Sequence, residues 1–217
     1  MNYAVARRNM VEGQIRSNRV TDPQLLQALE EVPREMFVPN QLRGVAYLDE
    51  DIELGNSRYL MEPMVFARLL QNAEIGGTDV VLDVGCATGY SAAVLAHLAS
   101  TVVALESDAD LAKRATALLA ELAADNVAVV GGPLGQGDAA HGPYNVIVVE
   151  GAVAAIPEPL TRQLADGGRL LAVVAGESGV GRATLVIRVG DVFSSRILFD
   201  ANIGPLPGFQ PKASFVF

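Results

Sequence analysis

The sequence predicts an α/β fold in which helices cover both faces of a mostly parallel sheet. The first observation is the stretch 80–106, where an apolar run, a turn of small residues, a segment rich in Ala and Leu, and a second apolar run follow one another. The second is that further strand-length apolar runs alternate with helical segments as far as residue 174. The third is Gly190-Asp191 between two apolar runs, which is typical of an antiparallel hairpin. The fold class is therefore a doubly wound α/β sheet ending in a C-terminal antiparallel hairpin.

The remaining elements are predicted from the spacing of apolar residues and from turn signals. Thr21-Asp22-Pro23 is a helix-start pattern inside an otherwise helical stretch that Pro33 and Pro39 end. Apolar residues at helical spacing predict helices over 62–72, 90–99, 108–123 and 156–165. Continuous apolar runs predict buried strands over 80–84, 101–105, 127–130, 144–149 and 169–174.

We expect a single domain over 1–217, because a chain of this length can bury one sizeable core. Within it we expect a helical N-terminal part over 1–75, a sheet core over 76–199 and a tail over 200–217. Three phenylalanines of the tail are expected to pack back onto the core: Phe209, Phe215 and Phe217.

Composition excludes several classes of function. Half of the residues are hydrophobic and 19% are charged, which is typical of a globular protein. The formal net charge of −9 makes nucleic acid an unfavourable partner. One cysteine, Cys86, leaves no internal disulfide, and with only His97 and His141 there is no zinc-site spacing. No apolar run is long enough to cross a bilayer, so we expect a cytoplasmic protein without membrane contact.

The turn after the 80–84 strand is a candidate ligand site. Gly85, Ala87 and Gly89 have little or no side chain, so a ligand can approach the backbone closely. Thr88 is a candidate cap of the following helix. Glu106 ends the next strand about 20 residues past the turn, where an acid can accept hydrogen bonds from ribose hydroxyls.

Two cofactors and an ordinary turn without a ligand compete as interpretations of this unit. A nicotinamide dinucleotide favours Gly at the first, third and sixth turn positions, which here hold Gly85, Ala87 and Tyr90. Tyr90 is bulky where the helix should pack closely, which disfavours a dinucleotide. S-adenosylmethionine has no phosphate and tolerates this residue. The stretch resembles the first two motifs of class I methyltransferases, with Asp83 and Gly85 in the glycine-rich loop.

A longer pattern covers most of the chain. Its segments are MVEGQI at 10–15, VTD at 20–22, VPREMFVP at 32–39, AYLD at 46–49, and, within 156–170, Ile156-Pro157, Leu160, Gln163-Leu164 and Gly167-Gly168-Arg169-Leu170. The pattern resembles the protein-L-isoaspartate O-methyltransferases, over roughly residues 10–175. The resemblance implies a seven-stranded Rossmann-like sheet and residues 1–75 on the substrate side. It also implies S-adenosyl-L-methionine as cofactor, S-adenosyl-L-homocysteine as product, and methyl transfer to a carboxylate of a damaged protein or peptide.

The cofactor contacts expected from the motif positions and strand ends are Asp83, Gly85, Ala87, Gly89, Tyr90, Glu106, Ser107, Gly132 and Glu150. Two of these depart from the family pattern. Gly132 stands where the family carries an acid against the adenine, and Asp138 can replace that acid only if its loop folds back. Glu150 ends a predicted strand where the family tends to have a small neutral residue. No metal ligand is expected in this chemistry.

The substrate side departs more strongly. The family has a Gly-Gln-Thr-Ile-Ser run, whose Thr and Ser fall on Tyr59 and Met61 here. The candidate catalytic residues are therefore Ser57, Arg58 and Tyr59, which still carry hydrogen-bond donors. Glu53 and Glu62 repel an anionic substrate, whereas Arg58 attracts one, provided that it does not face solvent instead. We expect low turnover of isoaspartyl peptides, and both a changed substrate and a non-catalytic, cofactor-binding paralogue remain open. A nucleotide-dependent oxidoreductase is disfavoured by Tyr90.

Overall fold

A seven-stranded sheet forms the centre of the molecule. The computed structural model describes residues 2–176 and 179–209. The strands lie in the order β5-β4-β3-β6-β7-β8-β9, with β3 to β7 parallel and β8 and β9 antiparallel. Their bounds are β3 Val80–Val84, β4 Thr101–Glu106, β5 Val127–Gly131, β6 Tyr144–Val153, β7 Leu164–Val174, β8 Arg182–Val189 and β9 Val192–Asp200. The predicted seven-stranded, doubly wound fold with its C-terminal hairpin is confirmed.

Helices cover both faces of this sheet because β3, β4 and β6 are apolar on both sides. Their bounds are α1 Tyr3–Met10, α2 Pro23–Glu31, α3 Pro63–Ala73, α4 Tyr90–Ala96, α5 Ala109–Glu121 and α6 Glu158–Thr161. Val81 and Val146 belong to one buried apolar cluster, and their neighbours Leu82 and Ile147 belong to the other. In the described part of the chain no helix combines the length and the apolar character that crossing a membrane requires.

The N-terminal part packs against one face of the sheet through a series of short helices. The Asp22 side chain accepts the backbone N–H of Gln24 at 2.9 Å and that of Leu25 at 3.1 Å, so the predicted cap of α2 is confirmed. A π-helical turn at Val11–Ile15 continues α1, and short 3-10 turns lead on to residue 45. The N-terminal part is thus helical but more broken than the apolar spacing suggests.

A small hairpin within the N-terminal part was not predicted. It consists of β1 (Ile52–Gly55) and β2 (Arg58–Leu60), paired antiparallel. Asn56 and Ser57 form its two-residue turn with φ of 53° and 57°. Two consecutive positive φ angles are the signature of a type I′ turn, which Asn tolerates at its first position.

The segment after β9, residues 201–209, crosses back over the sheet, and we call it the C-terminal strap. The backbone N–H of Leu206 donates to the Ala152 carbonyl at 2.8 Å, and the N–H of Ala152 donates to the Gly204 carbonyl at 2.9 Å. Phe209 is buried, as predicted. Phe215 and Phe217 lie outside the described residues.

Three predicted boundaries are wrong. Strand β6 continues to Val153 and β7 begins at Leu164, so the helix predicted over 156–165 shrinks to α6. The pairing of β6 with β7 is irregular at two points: the register shifts between Tyr144 and Val146, where β7 starts early, and between Val148 and Ala152, beyond which β6 continues.

Candidate functional site

The turn between β3 and α4 has the backbone shape that the sequence predicts. Gly85 and Gly89 have φ of 86° and 94°, a region that glycine adopts without strain. Ala87 also has a positive φ, 48°, which is strained for a residue with a side chain. Gly89, not Thr88, stands at the start of α4, and the Thr88 hydroxyl donates to the Phe37 carbonyl at 2.7 Å. The predicted Thr88 cap is therefore wrong, because that hydroxyl ties the turn to the N-terminal part.

Glu106 lies at the end of β4, beside this turn, and its side chain is fully buried. Its Oε2 accepts the backbone N–H of Ala87 at 2.8 Å. Its Oε1 accepts the backbone N–H groups of Ser107 and Asp108 at 2.8 and 2.9 Å. The predicted acid and the predicted turn are thus joined directly, and Glu106 is held in one orientation.

Arg58 reaches the same carboxylate from β2. Its Nη1 and Nη2 each donate to one Glu106 oxygen at 2.8 Å, and Nη2 also donates to the Gly85 carbonyl at 2.7 Å. The Arg58 side chain is only 3% exposed. Its donors are therefore used inside the cofactor side of the site, and the geometry does not support an Arg58 that attracts an anionic substrate.

Leu206 of the C-terminal strap covers the glycine turn. A Cβ built on Gly85 would lie 2.9 Å from Leu206 Cδ1 and 3.0 Å from Arg58 Nη2. A Cβ built on Gly151 would lie 2.9 Å from Leu206 Cβ. The space directly above Gly85 is therefore filled by the protein's own side chains.

Two further predicted acids lie near Glu106. Asp83 is completely buried, and its Oδ2 accepts the Ser91 hydroxyl at 2.7 Å. Burial raises the pKa of Asp83 to about 7, and the charge of Glu106 adds to the increase. Glu150 is partly exposed as a residue, yet its Oε1 is shielded from solvent, and burial followed by repulsion from Asp83 raises its pKa well above the usual range. Asp83 Oδ1 and Glu150 Oε1 have no hydrogen-bond partner among the described residues.

Tyr90 lies in the core rather than at the turn surface. Its ring is 2% exposed and packs edge-on against Phe37, with centroids 5.6 Å apart. The guanidinium of Arg34 lies 4.8 Å from the Tyr90 centroid and donates to the carbonyls of Ala46 and Met61, each at 2.7 Å. Tyr90 therefore anchors the N-terminal part, and this geometry does not support the predicted cofactor contact. Burial lowers the pKa of Arg34.

The substrate-side stretch is arranged differently from the expectation. Ser57 is exposed at the hairpin turn, and Met61 is buried. Tyr59 packs on the strap, because its ring lies directly against Gly204 and leaves no space for a Cβ there. Burial and repulsion from Asp49 raise the pKa of Glu62 to about 7. Catalytic roles for Ser57 and Tyr59 stay predictions.

The predicted adenine end is open. A cavity of about 230 Å³ is lined by Ser107, by residues 133–136 and by Pro207 and Gly208. Gly132 donates its N–H to the Glu106 carbonyl at 3.1 Å. Asp138 lies elsewhere, since its carbonyl accepts the Tyr144 hydroxyl at 2.6 Å, at the amino end of β6. Asp138 therefore does not replace the missing acid.

Sequence reasoning missed Arg34, the orientation of Arg58, and Leu206. The Gly-Asn-Ser turn between two short apolar segments is a hairpin signal that would have placed Arg58 and Leu60 on the same side of β2. Leu206 carries no local signal, because its position depends on a contact with β6 far earlier in the chain.

The residues present fit an S-adenosyl donor in their chemistry but not in this arrangement. Glu106 provides two oriented oxygens for a ribose diol, and the glycine turn allows close approach of a ligand to the backbone. Arg58 and Leu206 fill part of that volume. A donor placed against Gly85 would therefore meet both side chains.

Comparisons with known proteins give matches over most of the chain. The family model described as protein-L-isoaspartate(D-aspartate) O-methyltransferase matches residues 6–191. A protein-L-isoaspartate O-methyltransferase of Methanoculleus marisnigri is 40% identical over 186 residues, which are 86% of this chain and 84% of the relative. A solved protein-L-isoaspartate O-methyltransferase superposes with a TM-score of 0.81 at 23% identity, over 94% of this chain and 67% of that one.

A second solved structure, from Plasmodium falciparum, covers 96% of this chain and 99% of its own, with a TM-score of 0.76 at 18% identity. It is described as a putative protein-L-isoaspartate O-methyltransferase in complex with S-adenosyl-L-homocysteine. At these identities the two structures establish the fold.

Proposed function

Because the chain belongs to the protein-L-isoaspartate(D-aspartate) O-methyltransferase family, we propose that it transfers a methyl group from S-adenosyl-L-methionine to a carboxylate of a protein or peptide. The observation that carries this proposal is the buried Glu106 carboxylate, fixed by backbone N–H groups beside the Gly85 turn. With Arg58 withdrawn, this carboxylate would offer oriented acceptors to a ribose diol at the carboxyl end of the sheet.

The chemistry makes few demands on the protein. The donor supplies an electrophilic methyl group on a sulfonium: the new bond joins the acceptor oxygen to the methyl carbon, and the electrons of the broken sulfur–carbon bond remain on sulfur. A carboxylate is already nucleophilic, so the chain's residues have to orient the acceptor and exclude water. Glu106 would hold the ribose end, and the Gly85 carbonyl would accept from the amino end of the donor.

The remaining parts of the proposal concern partners and layout. Residues 1–75 would form the acceptor side and 76–199 the donor side of one domain, with 200–217 as its C-terminal tail. The acceptor would be a protein or peptide, since the net charge of −9 disfavours nucleic acid. A cytoplasmic location fits substrates of this kind and stays a prediction.

A second candidate is a paralogue that binds the donor but uses another acceptor or none. Two observations favour it: Met61 is buried, and Tyr59 packs on Gly204 instead of facing an open cleft. Neither provides the hydroxyl that the family pattern would aim at a carboxylate.

The test is methyl transfer from labelled S-adenosylmethionine to an isoaspartyl peptide and to its normal aspartyl twin. We expect slow turnover that is selective for the isoaspartyl peptide, and faster turnover when Tyr59 and Met61 are changed together to Thr and Ser. Donor binding without transfer in either protein would favour the second candidate. Absence of both donor binding and transfer would contradict the proposed function.

A further inference from the structure

Arg58 enters the donor site from outside the seven-stranded sheet. It is the first residue of β2, directly after the two-residue turn of the hairpin. Side chains alternate along a strand, and Arg58 and Leu60 are buried whereas Tyr59 is only partly so. The turn geometry therefore fixes the direction in which Arg58 points.

The guanidinium of Arg58 makes the hydrogen bonds that a ribose diol would make. Two of its nitrogens donate to the two oxygens of Glu106, at 2.8 Å each. Three backbone N–H groups and, at 3.4 Å, the Ser107 hydroxyl also donate to the same carboxylate. A carboxylate offers about four acceptor positions, so none is left for ribose hydroxyls while Arg58 is in place.

The same guanidinium also uses the carbonyl of the glycine turn. Arg58 Nη2 donates to the Gly85 carbonyl at 2.7 Å, and Leu206 covers the Cα of that residue. One arginine and one leucine thus take both the acceptors and the space beside the turn.

We propose that Arg58 is an internal competitor of the methyl donor, so that the Arg58–Glu106 ion pair sets the protein's affinity for S-adenosyl compounds. This inference rests on the proposed function, because it assumes that the Gly85 turn is the donor site. In the closed arrangement Arg58 occupies Glu106, and in the open one the ligand does. The apparent dissociation constant is then the intrinsic one divided by the open fraction.

The hairpin and the C-terminal strap are joined, which indicates how the site opens. The Tyr59 ring packs on Gly204, and the Gly204 N–H donates to the Asp51 side chain. The hairpin tip is held separately by a hydrogen bond of 2.9 Å from Asn56 to Asp108. Neither segment carries the pairing of the parallel strands, and a two-stranded hairpin is marginally stable by itself. Both can therefore move while the sheet stays intact.

The test is calorimetric titration of the full chain with S-adenosylhomocysteine, comparing the unmodified protein with Arg58→Met. Methionine keeps an unbranched apolar side chain but has no N–H to donate. Arg162→Met is the matched control, since the Arg162 side chain is 71% exposed and pairs with Glu158 on the surface. We expect Arg58→Met to bind at least about tenfold more tightly, and Arg162→Met to bind like the unmodified protein.

The other outcomes separate this inference from the proposed function. If Arg58→Met folds and binds no tighter than the unmodified protein, Arg58 is not a competitor, although the donor site stands. If the unmodified protein, Arg58→Met and Arg58→Met/Leu206→Ala all fail to bind, the donor site itself is misassigned and both proposals fall. Should Arg58→Met not fold, Arg58→Lys takes its place, because one ammonium cannot span both Glu106 oxygens in the same fork. Unchanged binding by Arg58→Lys would equally overturn the competition.

Discussion

Glu106 at the end of β4 and Glu150 on β6 lie on either side of β3, both near the carboxyl ends of the parallel strands. Glu106 follows Leu105, the β4 residue paired with Val84, and Glu150 follows Val149, the β6 residue paired with Val84. Their topological positions are thus equivalent, yet their surroundings differ. The Glu106 carboxylate is paired with Arg58 and three backbone N–H groups, whereas Glu150 Oε1 has no partner among the described residues.

The difference shows that a position at the carboxyl end of a parallel strand does not by itself determine what an acidic side chain does. The donors around Glu106 hold its carboxylate in one orientation. Glu150 has Asp83 as a buried acidic neighbour, and the proton-bound form of each is favoured by burial. The carboxylate at the β4 end is therefore paired with a cation, whereas Asp83 on β3 and Glu150 on β6 are carboxyl groups without a salt bridge among the described residues.

The largest expected change in stability comes from removing Arg58, the counterion of Glu106 at the end of β4. Arg58→Met leaves Glu106 buried without its counterion, so we expect the ligand-free protein to lose about 3–5 kcal/mol in its free energy of unfolding. Urea unfolding monitored by circular dichroism measures this loss. Arg162→Met should change stability by less than about 0.5 kcal/mol. Equal stability of Arg58→Met and the unmodified protein would show that the Arg58–Glu106 salt bridge does not stabilise the folded state.

A change in stability of the opposite sign is expected when the buried acid on β3, Asp83, is replaced. The folded-state pKa of Asp83 is raised to about 7, so folding favours the protonated form and stability falls as pH rises from the ordinary carboxyl pKa through 7. Asp83→Asn removes that penalty while an amide oxygen can still accept from Ser91. We expect the variant to match the unmodified protein near pH 4 and to exceed it by about 1–3 kcal/mol above pH 7.

The measurement is the free energy of unfolding of Asp83→Asn at pH values from 4 to 8, with the exposed Asp125→Asn as control. A stability difference between Asp83→Asn and the unmodified protein that is independent of pH would contradict the assigned titration. A parallel pH-dependent gain in Asp125→Asn would show that the effect is not specific to the buried site.

The smallest expected change in stability concerns the turn between β3 and α4. Ala87 has a φ of 48° and donates its N–H to Glu106. Glycine relieves the strain of this conformation at some cost in unfolded-state entropy, so Ala87→Gly should stabilise the protein by roughly 0.5–1 kcal/mol. Ala117→Gly on the exposed face of α5 should instead destabilise it by about 1 kcal/mol, and thermal unfolding compares the two. Destabilisation by Ala87→Gly would mean that the turn carries no strain.

The fold was predictable because its signals are local. The apolar runs of β3 and β4, the glycine turn between them and the Asp22-Pro23 cap each depend on residues adjacent in sequence, and all are found where the sequence places them. Glu106 was predictable for the same reason, since the length of one strand–helix–strand unit fixes its distance from the turn.

The side chains that fill the site were not predictable, because they belong to distant parts of the chain. Arg58 and Glu106 are 48 residues apart, and the direction of the Arg58 side chain depends on a turn type that the sequence prediction overlooked. Leu206 reaches Gly85 through the path of the C-terminal strap across β6. The surroundings of Tyr90 were not predictable either, because its partners Arg34 and Phe37 belong to the N-terminal part.

The most direct test of a donor site closed by Arg58 is a crystal structure of the full chain at saturating S-adenosylhomocysteine. Competition between Arg58 and the donor predicts that the ribose hydroxyls donate to Glu106, with Arg58 withdrawn from the carboxylate and Leu206 displaced from Gly85. A structure in which the ligand is bound while both Arg58 hydrogen bonds to Glu106 remain intact would contradict it.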